Sequence, residues 1–351
     1  MNIHEKYIKR CIELAKNGFG RTYPNPMVGC VIVCDGKIIG EGWHQKAGEP
    51  HAEVNAINAV SDKGLLKKAT LYVSLEPCSH HGRTPPCSDL IVFHGIPEVI
   101  IGGVDPNEKV AGKGIEKLRK GGCEVIVGVL EKECAELNAR FFTYHLNKRP
   151  YIILKWAQTL DGFIDTKRTI GGVHEAHTNW ITNSYSRQIV HKWRTEEQAI
   201  LVGTSTVLKD NPALTARNWK GNNPVRVILN RALKIPTSYH VLDGTVKTFV
   251  LTEKQEVPCI KNIYYYRVDF SNNLAERVCR QLYDHEIQSL IVEGGRRTIQ
   301  TFIDSGLWDE ARIFTGIKKF HTGIKAPVIK GKIMISGKLK GDSLQIIRDA
   351  D

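Results

Sequence analysis

Short apolar runs alternate with amphipathic stretches along the chain. In the first part, β-branched and aliphatic runs predict strands over 28–33, 37–42, 71–75, 99–102 and 124–127. Between them, apolar residues at helical spacing predict helices over 3–17, 51–61, 86–94 and 113–120, and 131–145 reads as one closing helix. Ala52, Ala56, Ile57 and Val60 set the spacing of the second helix, and Pro50 suits its first turn. Strands alternating with helices imply a sheet covered by helices. The turn Asn147-Lys148-Arg149-Pro150 breaks the pattern, and Tyr151-Ile152-Ile153-Leu154 opens a new strand. Two α/β domains are therefore expected, 1–146 and 150–351, the second with apolar strands over 199–202, 225–229, 248–251, 289–292 and 310–315.

A length of 351 residues suits about two domains, and 42% hydrophobic with 25% charged residues is ordinary for a globular protein. No apolar run approaches the roughly 20 residues of a membrane span, and residues 1–10 are polar, so no membrane partner and a cytoplasmic location are expected. Nine cysteines, an odd number, fit a reducing compartment; the seven outside the metal pattern below are expected to be packing residues. The net charge of +12 is spread along the chain, with some concentration over 318–340 and no long basic tract, so phosphorylated small molecules account for it as well as nucleic acid does. Tyr264-Tyr265-Tyr266-Arg267 reads as a strand rather than an RNA-stacking surface.

The chemistry is concentrated in His51-Ala52-Glu53, followed by Pro77-Cys78, eight residues, and Cys87. One imidazole and two thiolates can hold zinc with a position left for water, whose pKa the metal lowers, and Glu53 then serves as general acid/base rather than ligand. His51 and Glu53 are expected at a helix start, Cys78 at the end of the 71–75 strand, and Cys87 at a second helix start after Pro85-Pro86. Two plainer readings compete. The cysteines could be small buried hydrophobes, or the zinc could be structural with His80 or His81 as fourth ligand. Neither gives Glu53 a task.

The stretch Leu75-Glu76-Pro77-Cys78-Ser79-His80-His81-Gly82-Arg83-Thr84-Pro85-Pro86-Cys87 resembles the bacterial bifunctional riboflavin-biosynthesis deaminase/reductase family. Pro24-Asn25-Pro26-Met27-Val28-Gly29, Gly42-Trp43-His44 and Gly103-Val104-Asp105-Pro106-Asn107 match as well. The resemblance implies zinc-dependent deamination of a phosphorylated diaminopyrimidinone, then NADPH-dependent reduction of its ribosyl group to ribityl. It implies a cytidine-deaminase-like three-layer α/β/α domain followed by a dihydrofolate-reductase-like α/β domain, and a homo-oligomer. Asn25, His44 and Arg83 are implied to bind the deaminase substrate, Arg83 as a planar donor for its phosphate.

In the second half the matches are Lys155-Trp156-Ala157-Gln158-Thr159-Leu160-Asp161-Gly162, Trp180-Ile181-Thr182 with Arg187, His191 and Arg194, the run 203–217, and Ile291-Val292-Glu293-Gly294-Gly295. By the resemblance, Ala157, Trp180, Thr206, Asp210, Gly295, Arg296, Arg297, Thr298, Ile299, Gln300 and Thr301 hold NADPH. Lys155, Thr178, Arg194, Leu214, Arg217 and Glu293 hold the reductase substrate, with Lys155 and Glu293 candidates to assist protonation or anchor hydroxyls. Asn230-Arg231 stands where the family commonly has Asp and Ser, which bears on how the adenosine phosphate is held, and Thr315-Gly316-Ile317-Lys318 replaces its usual segment.

Two other functions are compatible with zinc: a deaminase acting on nucleic acid, whose binding would fall steeply with salt, and a non-catalytic zinc-stabilised interaction protein. Only the bifunctional reading uses both halves and Glu53.

Overall fold

The computed structural model describes residues 2–79, 85–108, 110–167 and 179–349. The chain forms two compact units, Met1–Lys148 and Arg149–Asp351.

The first unit runs α1 (Ile3–Ala15), β1 (Gly29–Cys34), β2 (Lys37–Trp43), α2 (Ala52–Ala59), β3 (Thr70–Val73), α3 (Cys87–Phe93), β4 (Glu98–Ile101), α4 (Lys113–Lys120), β5 (Glu124–Val127), α5 (Glu131–Leu137) and α6 (Ala139–Asn147). The sheet order is β2-β1-β3-β4-β5. β1 pairs antiparallel with β2 and β3, and β3, β4 and β5 run parallel. Alternating strand residues feed two cores. Ile32, Leu71 and Val99 pack with Ala56 of α2, Ile91 of α3 and Leu118 of α4, while Val31, Tyr72 and Ile100 pack with Ile8 of α1 and Cys134 of α5. Helices thus cover both faces of one sheet.

Two expectations need correction here. Residues 131–145 are not one helix: Asn138 separates α5 from α6 because its side chain accepts from the Met27 amide at 2.8 Å and donates to the Met27 carbonyl at 2.9 Å. Pro50 does not open α2; it precedes the N-cap, His51, whose extended backbone (φ −71°, ψ 167°) delays the helix to Ala52.

The second unit runs β6 (Tyr151–Gln158), β7 (Phe163–Asp165), α7 (Ser184–Glu196), β8 (Ala199–Gly203), α8 (Thr204–Asp210), β9 (Val225–Leu229), β10 (Thr248–Thr252), β11 (Ile263–Arg267), α9 (Leu274–Tyr283), β12 (Ser289–Val292), α10 (Arg296–Asp304), β13 (Glu310–Thr315), β14 (Ile324–Lys325), β15 (Lys332–Leu339) and β16 (Asp342–Arg348). Nine strands form the main sheet in the order β11-β10-β9-β8-β12-β6-β13-β16-β15. The first seven in that order are parallel, β16 pairs antiparallel with β13, and β15 pairs antiparallel with β16. Leu154, Leu201, Phe249 and Leu290 pack with Val278 of α9 and Phe302 of α10; Ile200, Ile228, Val250 and Ile291 pack with Val207 of α8 on the other face. The C-terminal ends of parallel strands gather at one edge of such a sheet, where ligands of open α/β folds bind.

All nine cysteines are free thiols. Six of the seven outside the metal pattern are buried, but Cys259 is exposed: in the irregular segment between β10 and β11 it is the next residue, Ile260, that packs on the core. Among the described residues no helix is long and apolar enough to cross a membrane.

Candidate active sites

In the first unit, α2 lies directly on β2. A Cβ at Gly42 would collide with the Ala56 nitrogen and the Ala52 carbonyl oxygen, so glycine permits the approach that sets His44 beside His51. The two rings meet edge-on with centroids 5.3 Å apart. His44 Nδ1 lies 3.1 Å from the Pro50 carbonyl, to which it donates, leaving Nε2 to accept from the Asn25 amide at 3.1 Å. Burial lowers the His44 pKa, which favours the neutral ring.

His51 Nδ1 is 3.6 Å from Cys78 Sγ and 3.4 Å from Cys87 Sγ, and the three donor atoms lie within 4.8 Å of one another. Cys78 follows β3 in an irregular segment, and Cys87 is the first residue of α3. The Cys87 amide donates to Cys78 Sγ at 3.3 Å, and the Cys78 carbonyl accepts from the Ser88 amide at 3.1 Å and its hydroxyl at 3.0 Å. Hydrogen bonds from the Cys87 thiol, from His51 and from that amide bring the Cys78 thiol down to about 4; sharing with Cys78, reinforced by burial, pushes Cys87 up. One imidazole and two thiols, converging from separate segments, suit zinc in both type and spacing. Glu53 is 3% exposed; it is not one of the three converging donors, and its carboxylate shares a hydrogen bond with the Cys87 thiol. Burial, with Cys78 nearby, raises its carboxyl to about 7.

The structure therefore brings together Asn25, His44, His51, Glu53, Cys78 and Cys87. Arg83, and the alternative ligands His80 and His81, lie outside the described residues. Sequence reasoning missed Glu76, whose buried carboxylate accepts from the amides of Asp105, Gly112, Gly114 and Ile115 at 2.8–3.3 Å. It caps α4, whose own N-cap, Gly112, has no side chain to do so.

The second unit holds a cleft of about 1820 Å³ at the C-terminal ends of β6, β8, β9 and β12. Its lining includes Lys155, Ala157, Trp180, Arg194, Thr206, Asp210, Leu214, Arg217, Glu293, Gly295, Arg296, Arg297, Thr298, Ile299 and Thr301. Gln300 is not among them: its amide donates to Asp304 at 2.8 Å and its Oε1 accepts from the Val328 amide at 3.0 Å. Thr178 lies outside the described residues.

Glu293 is the electrostatic centre of this cleft. Arg194 donates to it from Nη2 at 2.8 Å and Nε at 3.4 Å, and Lys155 Nζ is 3.8 Å away. Burial works against its ionisation, but Arg194 and Lys155 outweigh it and hold the carboxyl down to about 2. Burial also lowers the Lys155 pKa, with Glu293 opposing. His191, matched to the family but given no role in the sequence reading, donates from Nδ1 to the Thr215 carbonyl at 2.9 Å. Burial, then the charges of Arg194 and Arg217, lower it to about 4.

β12 ends at Val292; Glu293-Gly294 follows, and Gly295, with φ +41°, is the N-cap of α10. That left-handed turn suits glycine and aims a helix start at the cleft, an arrangement fit for a phosphate. Trp180 is 48% exposed, with the Arg187 guanidinium 4.5 Å from its ring centroid. Arg231 is salt-bridged to Glu253 at 2.7 Å on the rim.

Comparison with known proteins finds a match for each unit. Residues 1–103 match the cytidine and deoxycytidylate deaminase zinc-binding region, and residues 150–318 match the RibD C-terminal domain. The chain is 44% identical over 326 residues to the riboflavin biosynthesis protein RibD of Aquifex aeolicus, covering 92% of this chain and 89% of that one. It is 40% identical over 337 residues to the RibD of Synechocystis, covering 94% and 88%. A solved Thermotoga maritima diaminohydroxyphosphoribosylaminopyrimidine deaminase/5-amino-6-(5-phosphoribosylamino)uracil reductase superposes with a TM-score of 0.88 at 41% identity, over 99% of each chain.

Proposed function

Because the chain belongs to the RibD family of riboflavin biosynthesis proteins, we propose that its two units carry out consecutive steps on one phosphorylated pyrimidine. It is a bifunctional enzyme with a zinc-dependent deaminase domain and an NADPH-dependent reductase domain. The deaminase is assigned to 1–146 and the reductase to 150–351. The first acts on 2,5-diamino-6-(5-phosphoribosylamino)pyrimidin-4(3H)-one, and the second gives 5-amino-6-(5-phosphoribitylamino)uracil.

The observation that carries the first half is a buried carboxylate, Glu53, two residues from the imidazole of a three-donor cluster and outside that cluster. His51, Cys78 and Cys87 would hold zinc, which when bound would supply a positive centre that acidifies water. Glu53 accepts a proton at its carboxylate and delivers it to the departing amino group. Asn25 and His44, joined by a hydrogen bond, present fixed polar edges to the pyrimidine, and Arg83 meets its phosphate.

In the cleft, NADPH when bound supplies the hydride. The α10 start with Gly295, Arg296, Arg297, Thr298 and Thr301 would hold its phosphates, and Ala157, Trp180, Thr206, Asp210 and Ile299, which also line the cleft, would hold the rest of it. Glu293, fixed by Arg194, orients sugar hydroxyls, and Lys155 protonates the ribose oxygen as the ring opens. Thr178, Leu214 and Arg217 complete the substrate end. A reductase domain in the second half supports a small phosphorylated substrate over nucleic acid. By family analogy the enzyme is a cytoplasmic homo-oligomer. Ammonia release from the diaminopyrimidinone without NADPH tests the first half, and NADPH oxidation on adding the aminouracil tests the second.

A further inference from the structure

Arg226, on β9, is 0% exposed and stands outside the cleft lining, yet three oxygens converge on it. Its Nε donates to the Ala213 carbonyl at 3.0 Å, and its Nη1 donates to the His240 carbonyl at 2.9 Å and to Asp243 Oδ1 at 2.8 Å. Its Nη2 is buried with no partner among the described residues. A fully buried guanidinium with an idle donor is a poor choice for filling a strand position, since an apolar side chain of similar volume avoids the desolvation cost. What an apolar side chain cannot do is grip carbonyls.

Those carbonyls lead to the cleft. Ala213 precedes Leu214, a lining residue with φ +54°, a backbone conformation that a leucine adopts only when its surroundings impose it. On the far side of Leu214, the Thr215 carbonyl accepts from Arg194 Nη1 at 3.1 Å and from His191 at 2.9 Å. Arg194 in turn holds Glu293. The His240 backbone amide and ring secure Asn211 as well, each at 2.9 Å. Residues 211–215 are thus clamped from the sheet by Arg226 and from α7 by Arg194 and His191.

We propose that Arg226 is a positioning residue of the reductase: by fixing Ala213 it sets Leu214 and Thr215, and through Thr215 the placement of Arg194 and Glu293 against the sugar. This rests on the assignment of the cleft as the reductase site. It acts on the sugar-phosphate substrate and leaves the dinucleotide path alone, because none of its three partners, Ala213, His240 and Asp243, is among the residues assigned to NADPH.

The test is Arg226→Lys in the full chain, which keeps the charge and loses the fork. The expected result is a rise of about tenfold in the reductase KM for the aminouracil ribosyl phosphate, the cost of a small misplacement of binding groups. NADPH affinity, read by tryptophan-to-nicotinamide energy transfer, stays within about twofold, as does deaminase turnover. Asp243→Asn, which leaves the arginine and removes its counter-charge, shifts KM the same way by about threefold and carries the test if Arg226→Lys does not fold. An unchanged KM in the folded variant, or KM and NADPH affinity worsening together as they would from general loosening, overturns the proposal. Absence of reductase turnover in the unmodified protein overturns the site assignment and the proposal with it.

Discussion

The backbone amide of Cys87 donates a hydrogen bond to the sulfur of Cys78 at 3.3 Å, so the first residue of α3 orients the other thiol of the same site. With His51 Nδ1 3.4 Å from Cys87 Sγ, the three donors depend on one another's placement. Cys87→Ser keeps the backbone amide but removes one thiolate. The expected outcome is loss of stoichiometric zinc on dialysis and a fall in deamination of at least about 10³-fold, with reductase turnover unchanged. Metal content by mass spectrometry and separate assays of the two activities check it.

In the proposed mechanism Glu53 moves protons and is not a metal ligand. Because three other side chains supply the donors and glutamine can still hydrogen-bond Cys87, Glu53→Gln is expected to retain zinc while deamination falls by roughly 10²–10⁴-fold, the usual contribution of a positioned acid/base. Zinc loss in this variant would instead make Glu53 a ligand.

His191 gives the reductase unit a pH dependence. Its folded pKa of about 4 lies below the ordinary 6.5, through burial and the charges of Arg194 and Arg217, so the folded state binds fewer protons than the unfolded state between those values. Stability contributed by the neutral ring is present above pH 6.5 and is lost as pH falls toward 4, by at most about 3 kcal/mol. Denaturant unfolding at pH 7 and pH 4.5 should show a smaller loss in His191→Gln than in the unmodified protein; equal losses would refute the assignment.

On α10, neighbouring residues have different tasks. Arg297→Ala is expected to raise the KM for NADPH about tenfold or more, the worth of a hydrogen bond to a charged group. Gln300→Ala, whose side chain serves Asp304 and Val328, should shift it by less than about twofold. Steady-state NADPH titrations of both variants distinguish them.

The deaminase residues were legible because donor chemistry is written in residue types: an imidazole, two thiols and an acid at fixed spacing have few other uses together. Gln300 illustrates the opposite. A contiguous run of seven residues assigned by resemblance cannot all face one cleft when a helix turns about 100° per residue. The break at Asn138 was hidden because its partner, Met27, is 111 residues away. The β15–β16 hairpin was missed since β15 is exposed through nearly its whole length and lacks the alternation that marks a half-buried strand. The roles of Arg226 and Glu76 were invisible for a related reason: apart from the Asp243 carboxylate, their partners are backbone groups of other segments, which leave no trace in side-chain pattern.

The measurement that bears most directly on the central claim follows product mass after incubating zinc-loaded protein with 2,5-diamino-6-(5-phosphoribosylamino)pyrimidin-4(3H)-one. Without NADPH, the account predicts replacement of one amino group by oxygen and no further change. With NADPH present, it predicts the same replacement followed by the gain of two hydrogens. An unchanged mass in both reactions, with zinc confirmed in the protein, would contradict it.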